Sequence, residues 1–115
     1  MAKAKAPRIF LKLTQDHPKV FKAIEILGAA VRSAGPLDAR TSHLVQLAAA
    51  AAVRSEGAVH SHVRRALAAG VTPQEIEHAL LLLVSTVGTP QVVAALSWAR
   101  DVTDGIPKKR RKQVR

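Results

Sequence analysis

Apolar residues spaced three and four apart, in segments cut by proline and glycine, constrain this 115-residue chain more than any other feature. Val20, Phe21, Ile24, Leu27 and Val31 give one apolar helical face. That helix opens at Pro18, whose fixed φ and absent N–H suit a first turn, with Asp16 or His17 as the cap, and Gly35-Pro36 ends it. A second helix, capped by Asp38, runs through Leu44, Val45, Leu47 and Ala48–Ala52 to about Ser55. Its alanines favour helix and let a neighbouring backbone come close. Gly57 breaks the pattern, and a third helix follows to Gly70, a suitable C′ residue. Thr72-Pro73-Gln74-Glu75 carries a capping box: the Thr72 hydroxyl accepts from the N–H three residues on, and Glu75 reaches back. The fourth helix then extends to about Val87, and Thr89-Pro90 starts a fifth that Asp104-Gly105 ends. Alternation suited to a strand occurs only weakly, over Arg8–Leu13. The expected fold is all-α.

The charge is segregated. Lys and Arg number 18 against 8 Asp and Glu, a formal net charge of +10. Lys3, Lys5, Arg8 and Lys12 lie in residues 1–12, and Lys108, Lys109, Arg110, Arg111, Lys112 and Arg115 in residues 106–115, with no acid in either stretch. Every acid lies between, balanced there by an equal number of bases, so residues 13–105 are neutral. This divides the chain into a basic N-terminal arm (1–12), a helical domain (13–105) and a basic disordered tail (106–115). The length suits one domain with a single core. No apolar run approaches the ~20 residues of a membrane-spanning helix, so a cytoplasmic protein without a membrane partner is expected. The absence of cysteine excludes disulfides, thiolate metal sites and cysteine nucleophiles. With three aromatic residues, Phe10, Phe21 and Trp98, the chain is poorly equipped to stack on nucleic-acid bases.

The last two helices are apolar nearly all round. A small domain offers each helix one buried face, so a second buried surface shared between subunits is expected, and with it a homo-oligomer.

Histidines are the remaining proton carriers near neutrality. His60 and His62 point about 200° apart on a helix and cannot chelate one ion, and no metal site is expected. His60 lines up with Glu56 and Arg64 in a solvated stripe. His62 lies on another face with Ala58, Arg65, Ala66 and Ala69, where a hydrogen-bonded core role competes with catalysis. His43, flanked by Arg40, Gln46 and Leu47, comes opposite His62 if the second and third helices form a hairpin. Two imidazoles in a partly apolar pocket would divide acid and base roles. His78 pairs along its helix with Glu75, and His17 is a turn residue. Asp38, Glu56 and Glu75 each stand at a helix start, where the macrodipole favours an acid. Phosphate loops, serine-nucleophile motifs and paired carboxylates are absent.

The runs Leu37-Asp38-Ala39-Arg40-Thr41-Ser42-His43-Leu44-Val45-Gln46-Leu47-Ala48 and His62–Ile76 resemble the carboxymuconolactone decarboxylase/AhpD-like family over residues 18–103. The resemblance implies an all-α bundle of about five to six helices, assembly into a homo-trimer or homo-hexamer, no cofactor, and small-molecule sites near subunit interfaces. It also implies one of two activities: decarboxylation of a carboxylated lactone, or thiol-dependent reduction of hydroperoxides. In the peroxide-reducing branch a Glu, a CxxC pair and a His recur at fixed spacing. Aligned on His62, the cysteine positions fall on Ser55 and Ala58 and the glutamate position on His43. Serine cannot replace a thiolate that must be oxidised and resolved, so the peroxidase route is closed to this chain. The lactone branch is closer, although its aromatic and acidic residues before the histidine are replaced by Gly57, Ala58 and Val59. The family's proton-handling positions coincide with His43 and His62.

Two functions follow as expectations. In the first, His43 and His62 transfer protons on a small organic acid or lactone whose carboxylate Arg40 or Arg65 holds. In the second, the helical body is a non-enzymatic oligomeric scaffold whose tails, through Lys108, Lys109, Arg110, Arg111 and Lys112, make weak contacts with polyanions such as nucleic acid.

Overall fold

A computed structural model describes residues 8–106. Among these residues the structure is entirely helical: α1 (Arg8–Asp16), α2 (Pro18–Arg32), α3 (Ala39–Ala52), α4 (Glu56–Ala68), α5 (Pro73–Leu81), the single turn α6 (Val84–Val87) and α7 (Thr89–Thr103). The all-α expectation holds. The chain divides into two compact units, α1–α2 and α3–α7.

In the first unit, Arg8–Leu13 is helical, which corrects the weak strand signal there. The boundary expected between residues 12 and 13 falls inside α1. Among the described residues no strand pairs with them; instead the Phe10 ring meets Phe21 edge-on, with centroids 5.6 Å apart at 90°. His17 stands at the N-cap of α2 without a side-chain cap bond, Pro18 following it. The backbone ladder runs through this joint, His17 donating to the Leu13 carbonyl at 2.8 Å and Phe21 to that of His17 at 3.1 Å. Neither helix encloses a fully buried residue.

The core lies in the second unit. Leu47, Ala50 and Ala51 of α3 pack with Val59, Val63 and Ala66 of α4, Ile76 and Leu80 of α5, and Ala95, Ala99 and Val102 of α7. Many of these side chains are alanine, so helix backbones approach closely, and the larger ones supply most of the buried area. Complete burial of each Leu, Ile or Val contributes about 1.5–3 kcal/mol. The α3–α4 pair makes the most extensive contact in the unit, and a connection of only three residues sets the two helices antiparallel.

That connection is not where the sequence signalled it. Gly57 lies within the first turn of α4, and Ser55 is the N-cap of α4, not the end of α3. The left-handed residue is Arg54, at φ +60°. Its N–H donates to the Ala51 carbonyl and that of Ser55 to the Ala50 carbonyl, satisfying the last carbonyls of α3. The same bonding closes α4, from Gly70 to Leu67 and from Val71 to Ala66, with Gly70 at φ +92° as its position suggested.

The capping box forms as expected: Thr72 Oγ1 accepts from the Glu75 N–H at 3.0 Å, and Glu75 Oε1 accepts from the Thr72 N–H at 2.8 Å. The helix it starts does not reach Val87. At Leu83 the bonding tightens, its N–H donating to Leu80, and the chain turns into α6. The turn packs Leu83 against the core and leaves Leu81, Leu82 and Val84 exposed. Among the described residues no helix is long and apolar enough to cross a membrane.

Candidate functional site

His43 occupies the buried stripe of α3, one turn before Leu47 and two before Ala50, and is 8% exposed. On α4 the buried stripe is Val59, Val63 and Ala66, and His62 borders it, half-buried. Both histidines lie in the same half of the hairpin. At 1.5 Å per residue, His43 stands about 13 Å before the end of α3 and His62 about 9 Å after the start of α4, within one helical turn in height. Nδ1 of each imidazole is shut away from solvent. So is Oε1 of Gln46, one turn beyond His43 on α3, which accepts no hydrogen bond from any described residue. Along the sequence Gln46 is marked only by its place beside His43. Its buried amide makes it a third polar group of this region, and glutamine in a half-apolar helix carries no signal of its own.

The two candidate arginines differ. Arg40, one turn before His43, is already engaged: its Nη2 donates to both carboxylate oxygens of Glu75, at 2.6 and 2.7 Å. This ties the start of α3 to the start of α5. Glu75 is held below the usual carboxylate range, first by the Thr72 backbone N–H it accepts and then by the Arg40 charge, with slight burial opposing. Arg65, one turn beyond His62, is exposed. Its neighbour Arg64 is half-buried, and burial together with the Arg65 charge makes its proton easier to lose than usual.

Ser55 and Ala58 are the two ends of one capping bond: Ser55 Oγ accepts from the Ala58 N–H at 3.2 Å. The hydroxyl therefore starts the helix that carries His62.

His60 departs from its expected solvated setting. Its side chain is only 19% exposed, and its Nε2 lies 2.9 Å from Asp101 Oδ2 on α7 and 4.0 Å from Glu56 Oε2 on its own helix. The local spacing gave Glu56 but could not give Asp101, which tertiary packing of α4 on α7 brings in. Elsewhere, an open cleft of about 280 Å³ lies along α5 and α7. Arg100 and Glu77 line it, paired with each other at 2.9 Å, and no sequence-predicted site residue does. Lys108, Lys109, Arg110, Arg111 and Lys112 lie outside the described residues.

Comparison with known proteins finds one family model that covers most of the chain. Residues 18–101 match the model of the carboxymuconolactone decarboxylase family. An uncharacterized protein of Haemophilus influenzae is 37% identical over 57 residues, which is 50% of this chain and 50% of that protein. The match thus spans half the length of the relative. No solved structure matches significantly.

Proposed function

Because the chain belongs to the carboxymuconolactone decarboxylase family, we propose that it performs cofactor-free acid–base chemistry on a small organic acid or lactone through His43 and His62. The observation that carries this reading is the burial of both Nδ1 atoms on the two most closely packed helices, inside the matched region. In a decarboxylation the C–C bond breaks, CO2 leaves, and the electron pair delocalises into the adjacent carbonyl. The carbanion then needs a proton at carbon. One imidazolium delivers it and regains its proton from solvent through the second imidazole, a role worth about 10²–10⁴ in rate. Arg65 is the better carboxylate holder, since Arg40 is occupied by Glu75 and a substrate would have to displace a short charged contact. With no cysteine in the chain, a thiol peroxidase cycle has no thiolate to run on.

The test is turnover on a panel of carboxylated lactones and keto acids, measured as CO2 release and as solvent deuterium incorporation at carbon. His62→Gln should abolish both while leaving the helical content and elution volume unchanged. Equal rates for the variant and the original chain would overturn the assignment.

Self-assembly is part of the proposal. Leu81, Leu82, Val84 and Val93 are large apolar side chains left in water on α5–α7 and the turns between. A homo-trimer or homo-hexamer would cover them. Light scattering reads the mass directly, and a monomer at micromolar concentration would refute it. Charge segregation favours a second reading, in which the assembled body displays several copies of the basic tail to polyanions. Binding to mixed-sequence DNA should then fall steeply with salt and vanish on removing residues 106–115. Salt-insensitive binding, or none, removes this reading.

A further inference from the structure

The structure assigns a binding site for a borderline divalent cation, of the zinc or cobalt class, to Glu56, His60 and Asp101. Three donor atoms, one imidazole nitrogen and two carboxylate oxygens, all lie within 4.8 Å of one another. Two come from α4, one turn apart on the same face, and the third from α7, which packs against it.

The distances suit a metal. Ligands about 2.1 Å from a tetrahedral zinc ion stand about 3.4 Å apart. The His60–Asp101 separation of 2.9 Å and the His60–Glu56 separation of 4.0 Å straddle that value. Small rotations of the Asp101 and Glu56 side chains therefore close a three-ligand site without moving a helix. Mixed nitrogen and carboxylate donors select zinc, cobalt, nickel or manganese over calcium or magnesium, which favour all-oxygen shells. His60 is the anchor: its imidazole is mostly buried between the helices, whereas Glu56 and Asp101 are more than half exposed. That exposure leaves the outer side of the ion to water or an exogenous ligand. The site is separate from the His43 and His62 region, because His60 and His62 flank opposite sides of the buried α4 stripe.

Trp98, the only tryptophan, lies one turn before Asp101 on α7 and provides a reporter. The full-length chain is stripped with EDTA and titrated with CoCl2, following Trp98 quenching and visible absorption, and with ZnCl2 in a calorimeter. One ion per chain is expected, with zinc displacing cobalt. Glu56→Gln and Asp101→Asn should each weaken affinity at least about tenfold, and His60→Gln should abolish binding, while His78→Gln on α5 leaves it unchanged. If His60→Gln fails to fold, Glu56→Gln decides, because it leaves the His60–Asp101 contact intact. A purely structural His60–Asp101 pair would leave zinc affinity indifferent to Glu56→Gln. That indifference, or no saturable binding below millimolar zinc, overturns the assignment.

Discussion

Replacing Arg54 by glycine should stabilise the α3–α7 unit, although it removes a large side chain and adds a flexible residue. Arg54 holds φ +60° to close α3, a conformation in which Cβ crowds the backbone. For an L-residue that crowding costs roughly 1–2 kcal/mol. Glycine escapes it but loses more freedom on folding, which returns about 0.5–1 kcal/mol. Arg54 is exposed, and no ion pair or side-chain hydrogen bond ties it to another described residue, so little else is lost. The net gain is about 0.5–1 kcal/mol. Gly70 is the mirror experiment, since it closes α4 by the same bonding at φ +92°. A Cβ there would meet nothing within 4 Å, so Gly70→Ala costs only the conformational energy, again about 0.5–1 kcal/mol net but with opposite sign. For a unit of this size each change moves the melting temperature by roughly 2–8 °C. Urea titration and thermal unfolding by circular dichroism, at one fixed protein concentration, read both variants. Destabilisation by Arg54→Gly alongside destabilisation by Gly70→Ala would refute the shared closure argument, since one geometry cannot favour both a side chain and its absence.

Leu47 is completely buried among α3, α4, α5 and α7, so Leu47→Ala should cost about 2–5 kcal/mol in urea unfolding, with the midpoint falling accordingly. Glu75 has a lowered pKa in the folded chain, so its contribution to stability is present above the ordinary carboxylate pKa. It is lost as pH falls through that value and on through the lower folded one. Glu75→Gln should therefore flatten this part of the stability–pH profile, and an unchanged profile would show that Glu75 is not its source.

The two termini of α4 show how legibility depends on range. Ser55 bonds three residues away and Gly70 supplies its own conformational freedom, so both ends of α4 rest on local chemistry. The Gly70 closure was readable for that reason. The turn at Arg54 was not, because arginine at positive φ has no residue signature, and Gly57 offered a false one three residues later. The capping box at Thr72 and Glu75 was readable in full. The partner that occupies Glu75, Arg40, lies 35 residues away and was instead expected to await a substrate. Helix α1 lies outside the five helices that the sequence marks, because its apolar residues support either period over six positions and the contact with Phe21 is made by another helix.

The amino-acid sequence by itself determined that this protein is helical, that its charge sits at the ends, that it has no thiol chemistry, and which family it resembles. These follow from periodicity, composition and motif spacing, which are properties of neighbours along the chain. Tertiary structure alone decided that His60 meets Asp101, that Arg40 is spoken for, and that His43 is buried while Arg65 is not. Each depends on which faces of packed helices meet, and that is set by fitting alanine, valine and leucine side chains across many residues of chain. No short window of sequence contains that fit.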